Sequence, residues 1–166
     1  TEQQRLTPWD GAAGDNFGIS VAINENNAIA IGAWQHNGDR GAVYTFLPTA
    51  DGWASFQKLT ASDAAVNDWL GYSVAMSGTT IISGAYNKAN VQGAVYVFDW
   101  HNGSWSQQQK LTASDAIDND FFGYAVDIAG DTAVIGAYGR NNSQGQAYVF
   151  TRTGSTWTEQ QQLIAH

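Results

Sequence analysis

Aspartates recur in pairs along this chain, five residues apart each time: Asp10 and Asp15, Asp63 and Asp68, Asp115 and Asp120. Two carboxylates on one short loop, helped by loop carbonyls, are hard oxygen donors of the kind that hold Ca2+. The third pair has a further carboxylate, Asp118, and is the best metal candidate. The competing reading is local. An aspartate at the head of such a loop bonds back to its own backbone in an Asx turn. A turn that every unit needs recurs for that reason alone, so recurrence favours structure over metal.

A second set of residues follows a repeated Gly-Ala pair: Trp34 with His36, Tyr86 with Asn87, and Tyr138 with Arg140 and Asn141. Tyr and Trp combine an apolar body with a polar tip, so exposed rings beside amides and charges make a platform for a sugar or a peptide. The alternative is that these rings are spacers packed between units, since each unit has one. Trp53, Trp105 and Trp157 sit at a fixed register and read as structural. His36, His101 and His166 fall in unrelated places and do not make a metal set. No motif frames a serine or histidine as a nucleophile. The glycines read as turn and close-packing residues rather than a phosphate loop. The chain is expected not to be an enzyme.

These residues are carried by a threefold repeat. Leu59-Thr60-Ala61-Ser62-Asp63-Ala64 returns letter for letter as Leu111 to Ala116, and a looser copy begins at Leu6. The period is 53 residues, then 52. A period of this size means one supersecondary unit stacked on copies of itself.

Four strands are read in each unit. Strand a (Phe17 to Ile23, Leu70 to Met76, Phe122 to Ile128) alternates large and small residues with period two. Its small side is expected to face a crowded central axis. Strand b, as in Ile81 to Ala85, is a short apolar run buried on both faces. Strand c, as in Ala94 to Phe98, is rich in Val, Tyr and Phe. Strand d, as in Trp105 to Leu111, is glutamine-rich and suits an outer edge. No stretch has a helical period. Because strand direction alternates, the d-to-a and b-to-c loops share one face. That face collects the aspartates and the aromatics.

Phe17-Gly18 with Gly32-Ala33, Leu70-Gly71 with Gly84-Ala85, and Phe122-Gly123 with Gly136-Ala137 resemble the FG-GAP repeat. That repeat builds the β-propeller of integrin α subunits and of many bacterial surface proteins. The resemblance implies an all-β propeller of four-stranded antiparallel blades, an extracellular setting and a binding or adhesive role. The proline of the family name is replaced by Trp34, Tyr86 and Tyr138. Integrin-type repeats often carry an Asp-rich calcium loop between the first two strands. Here that connection is Asn24 to Asn27, Ser77 to Thr80 or Ala129 to Thr132. It has too few carboxylates for a cage of about six to eight oxygens.

The net charge of −8 argues against nucleic acid and against docking on anionic lipid. No run reaches transmembrane length. The absence of cysteine excludes disulfides and thiolate metal sites. The units are expected at residues 7–59, 60–111 and 112–166, with residues 1–6 forming strand d of a preceding blade. Glu2 to Leu6 indeed copies Glu159 to Leu163. Propellers typically have about four to eight blades, so three imply a longer propeller or a ring completed by other chains. Two copies would give six blades. A β-trefoil is the competing fold. The reading is a non-catalytic recognition or adhesion module binding a protein or glycan through its loop face. The alternatives are a carbohydrate-binding lectin and a self-assembling subunit of a surface layer or filament. In the last case the Glu2 to Leu6 strand would pair between chains, and deleting it would abolish assembly.

Overall fold

The computed structural model describes residues 2–164; Thr1, Ala165 and His166 lie outside the described residues, and with them the first residue of the expected 1–6 strand and the last two of the expected 112–166 unit. Alternating and β-branched segments pair in sequence order into three separate sheets of four antiparallel strands. The first sheet holds β1 (Phe17–Ile23), β2 (Ile29–Ala33), β3 (Ala42–Thr49) and β4 (Gly52–Leu59). The second holds β5 (Ser73–Ser77), β6 (Thr80–Ala85), β7 (Ala94–His101) and β8 (Ser104–Leu111). The third holds β9 (Phe122–Ala129), β10 (Thr132–Ala137), β11 (Gln146–Thr153) and β12 (Thr156–Ile164). The strands follow one another across each sheet in an up-and-down meander, as in a propeller blade. The sheets do not merge into a barrel, which sets aside the trefoil.

The blades stack face to face. One cluster joins Ala30, Val43 and Leu59 of the first blade to Leu70, Ile81, Tyr96 and Trp105 of the second. A second joins Ile82, Val95, Val97 and Leu111 of the second blade to Phe122, Ile135, Tyr148 and Trp157 of the third. Each blade therefore offers an aliphatic face to the next and a face of aromatic and large aliphatic residues to the previous one. This corrects the expectation for strand a. Its small side faces the adjacent blade, because Ser20 Oγ donates to the Gly71 carbonyl at 2.7 Å and Ser73 Oγ to the Gly123 carbonyl at 2.7 Å. A strand standing in a stack has a neighbour on each side, so both of its faces are blade contacts.

The b-to-c connections contain an unusual turn. Asn37, Gly38 and Asp39 all have left-handed φ angles of 55°, 67° and 62°. Ala89, Asn90 and Val91 repeat this, as do Asn141, Asn142 and Ser143. Left-handed backbone is costly for most side chains and persists where the surroundings fix it. Here the next blade does the fixing. Trp69 N–H donates to the Asp39 carbonyl at 3.1 Å, and Phe121 N–H to the Val91 carbonyl at 2.9 Å.

Candidate functional site

The paired aspartates lie where the d-to-a loop passes over the b-to-c turn of the same blade. In each pair the second aspartate folds back on its own loop. Ala12 N–H donates to Asp15 at 2.9 Å, Ala65 N–H to Asp68 at 2.7 Å and Ile117 N–H to Asp120 at 2.8 Å. The bond reaches three residues back along the loop, so it is a local turn closure on the second aspartate and not the Asx turn expected of the first. The first aspartate accepts from the buried tyrosine of strand c: Tyr44 to Asp10 at 2.7 Å, Tyr96 to Asp63 at 2.5 Å and Tyr148 to Asp115 at 2.8 Å.

A basic side chain from the turn then enters each pair. In the second blade, Lys88 Nζ lies 2.5 Å from Asp68 and 3.5 Å from Asp63. In the third, Arg140 grips Asp120 at 2.9 Å and Asp115 at 2.6 Å. In the first, His36 Nδ1 is 2.9 Å from Asp15, its Nε2 is 3.8 Å from Asp10, and Lys58 closes on Asp10 from strand d. Lys110 occupies the equivalent place on Asp63 at 2.8 Å.

The electrostatics agree with this geometry. Burial works to raise the Asp63 carboxyl, but Lys110, Tyr96 and Lys88 outweigh it and bring its pKa down to about 2. Lys58 and Tyr44 hold Asp10 low. Asp15 is also lowered, because His36 and the Ala12 amide outweigh its burial. Burial first, and the aspartate partner second, push Tyr44, Tyr96 and Tyr148 well above the usual phenol range. Burial opposes the charge on Arg140, yet Asp120 and Asp115 raise its pKa.

This donor set does not fit Ca2+. An ammonium, guanidinium or imidazole already stands between the two carboxylates, and the first aspartate of each pair also accepts from a tyrosine hydroxyl. Asp118 does not join its pair but takes a bond from Gln92 of the preceding blade at 2.9 Å. Among the described residues no group of three or more His, Cys, Asp and Glu side chains is arranged to hold a metal ion.

The aromatics of the Gly-Ala turns join a ladder that crosses the blades. Trp34 contacts Trp69 and Tyr72 of the second blade, with ring centroids 4.8 and 6.1 Å apart. Tyr86 is buried among Trp69, Tyr72, Phe121 and Tyr124. Tyr138 stacks on Phe121 at 4.6 Å and stays 46% exposed. The spacer reading describes Trp34 and Tyr86. Asn87 holds the Asn67 carbonyl at 2.7 Å, and His36 is buried in its aspartate pair. Asn141 is exposed on its turn.

One set of residues escaped the sequence reading. Gln57 donates to the Trp105 carbonyl at 2.7 Å and accepts from the Trp105 amide at 2.9 Å, clamping the next blade. Gln109 does the same to Trp157 at 2.8 and 2.8 Å. Gln4 does so to Trp53 at 2.7 and 2.8 Å. The ladder slips one residue just before Gln57, Gln109 and Gln161, a bulge that re-aims the strand there. The signal was present. Gln4, Gln57, Gln109 and Gln161 recur at the repeat period, but a polar strand also suits a solvent-facing outer edge, and the spacing does not separate the two.

No curated protein matches the chain. A family model described as FG-GAP repeat matches residues 1–46, 53–98 and 105–150. Each match starts in the segment that carries the clamping glutamine, or at the head of its strand, and ends in strand c of the following blade. With three consecutive repeats matched and three four-stranded blades in place, the chain belongs to the FG-GAP repeat family.

Proposed function

We propose that the chain is a non-catalytic recognition module, working outside the cell, that binds a protein or glycan through the loop face of its third blade. One observation carries this reading. A polar hollow of about 500 Å³ lies between the d-to-a loop and the b-to-c turn of that blade, lined by Asp118, Asn119, Gly139, Asn141, Asn142 and Ser143. In the first two blades a side chain of the turn reaches across to the loop. Gln35 accepts from Asn16, and Asn87 donates to the Asn67 carbonyl. Gly139 has no side chain to do so. Exposed amides and a carboxylate around an open hollow are directional hydrogen-bonding groups, the usual source of specificity in a binding cleft.

The non-catalytic reading rests on the chemistry beneath the hollow. The titratable groups beneath it are locked in the Asp115–Arg140–Asp120 pairings. Binding on a glycan array and on an array of surface and secreted proteins tests the reading. Asp118→Ala and Asn141→Gly, which keeps the left-handed backbone available, should each lower binding about tenfold. Absence of any ligand on both arrays would sink it. Binding lost on Trp34→Ala but kept on Asp118→Ala would move the ligand to the aromatic ladder, as a lectin using ring stacking.

A further inference from the structure

We infer that Tyr72 and Tyr124 form a covalent modification site, at which one-electron oxidation joins the second blade to the third through a dityrosine bond. The backbone sets the pair up. Ser73 Oγ donates to the Gly123 carbonyl at 2.7 Å inside the junction of the two blades. Tyr72 precedes that serine and Tyr124 follows that glycine, so this buried bond brings the two phenols side by side. The Tyr72 hydroxyl donates to the Tyr124 hydroxyl at 3.2 Å. Their ring centroids lie 5.1 Å apart with the planes tilted by 42°. On the first blade Ile19 holds the equivalent place, so the junction of the first two blades has no matching phenol.

Neighbouring tyrosines are arranged differently. Tyr86 meets Tyr72 edge to face at 82°, and Tyr138 meets Tyr124 edge to face at 69°. An edge against a ring face does not set two ortho carbons against each other. Tyr86 also tilts against Tyr124 at 57°, but it is buried. Tyr72 has a blade on either side and is still only half-buried, so its phenol edge stays within reach of solvent.

The oxidant is hydrogen peroxide acting through a haem peroxidase, which removes electrons one at a time. Each phenol gives up one electron and one proton and becomes a phenoxyl radical. The unpaired electron is shared with the ring carbons ortho to the oxygen. The two radicals pair in a single C–C bond between one ortho carbon of each ring. The hydrogen on each of those carbons then passes to the phenol oxygen, and both rings are aromatic again. The pair has lost two electrons and two protons, which reduce one hydrogen peroxide to two waters. In the product the two oxygens flank the new bond, and the hydroxyl contact already holds them in that relation. With no cysteine in the sequence, no disulfide joins these blades. The new bond links residues 52 apart and, as a disulfide does, restricts the unfolded chain.

Oxidation of the full chain at low concentration, followed by trypsin and mass spectrometry, tests this. Cleavage after Lys58, Lys88, Lys110 and Arg140 puts Tyr72 on one peptide and Tyr124 on another. The expected product is these two peptides joined, lighter than their sum by two hydrogens, with fragment ions placing the bond on Tyr72 and Tyr124. Tyr72→Phe and Tyr124→Phe remove only a hydroxyl. Each, checked for an unchanged circular dichroism spectrum, should abolish the product, whereas Tyr138→Phe should leave its yield unchanged. Oxidation in urea beyond the unfolding transition should lose it, because only the fold holds the rings together. The linked chain should melt several degrees above the unlinked one. A bond on Tyr86 or Tyr138 overturns the proposal. So does a yield that survives Tyr72→Phe or Tyr124→Phe, an oxidation that gives only chain-to-chain links or modified tryptophans, or a linked chain that melts no higher.

Discussion

A basic group at one position of the repeat, His36, Lys88 or Arg140, turns a pair of acidic residues into a structural clasp. The residue type changes from blade to blade while the role does not, so three different basic side chains hide one function. Removing a single partner from a buried pair leaves an uncompensated charge, which costs more than the intact pair gains. Asp120 is almost wholly buried. Arg140→Ala should therefore destabilise the fold by about 3 kcal/mol in urea denaturation, with Arg140→Lys milder. Asp63 gives a pH signature. Its folded pKa of about 2 lies below its ordinary value of 3.8. Its contribution is thus present in full above the ordinary value and is lost as pH falls through the folded one. Stability should hold from neutrality to about pH 4 and decline toward pH 2; in Asp63→Asn that decline should be shallower, as read by thermal melts across this range.

Strands carry the junctions through their backbones as much as through their side chains. Gln57 satisfies both backbone groups of Trp105, so Gln57→Ala should cost about 1 to 2 kcal/mol. Amide exchange at Trp105 should quicken more than at Trp157, which Gln109 still holds. The glycines give a matched contrast. Gly84→Ala forces a methyl into the Gly123 carbonyl and should cost about 1 to 3 kcal/mol. Gly136→Ala meets only ordinary contact and should leave the melting temperature unchanged. Equal effects would show that the close-packing role of Gly84 was misassigned. The strand order and period were legible because period-two alternation and turn residues are local. The start of β5 was less so: it begins at Ser73, after Gly71 with its φ of 91°. Gly18 and Gly123 take the same left-handed backbone at the heads of their strands, a glycine conformation that strand alternation does not report.

The blades form one continuous stack, and charge is distributed through it as internal ion pairs rather than as a cation cage. The melting temperature should accordingly be the same in Ca2+ and in a chelator. A rise of several degrees with Ca2+ would place a metal on donors other than the aspartate pairs. No helix among the described residues is long and apolar enough to cross a membrane.

The sequence alone determined the repeat, its four strands, the propeller class and the loop face that gathers the aspartates and aromatics. These follow from periodicity and from hydrogen bonding within one chain segment. What each residue does there was decided only by the tertiary structure. Trp34 reads as a platform until Trp69 and Tyr72 of the next blade cover it. Asp63 reads as a metal ligand until Lys88 arrives from a later turn and Lys110 from a later strand. Asp118 reads as a third ligand until Gln92 draws it across a junction. Free carboxylates and exposed rings are properties of an environment, and residues about twenty to fifty positions away supply that environment by packing, which the spacing of letters does not encode.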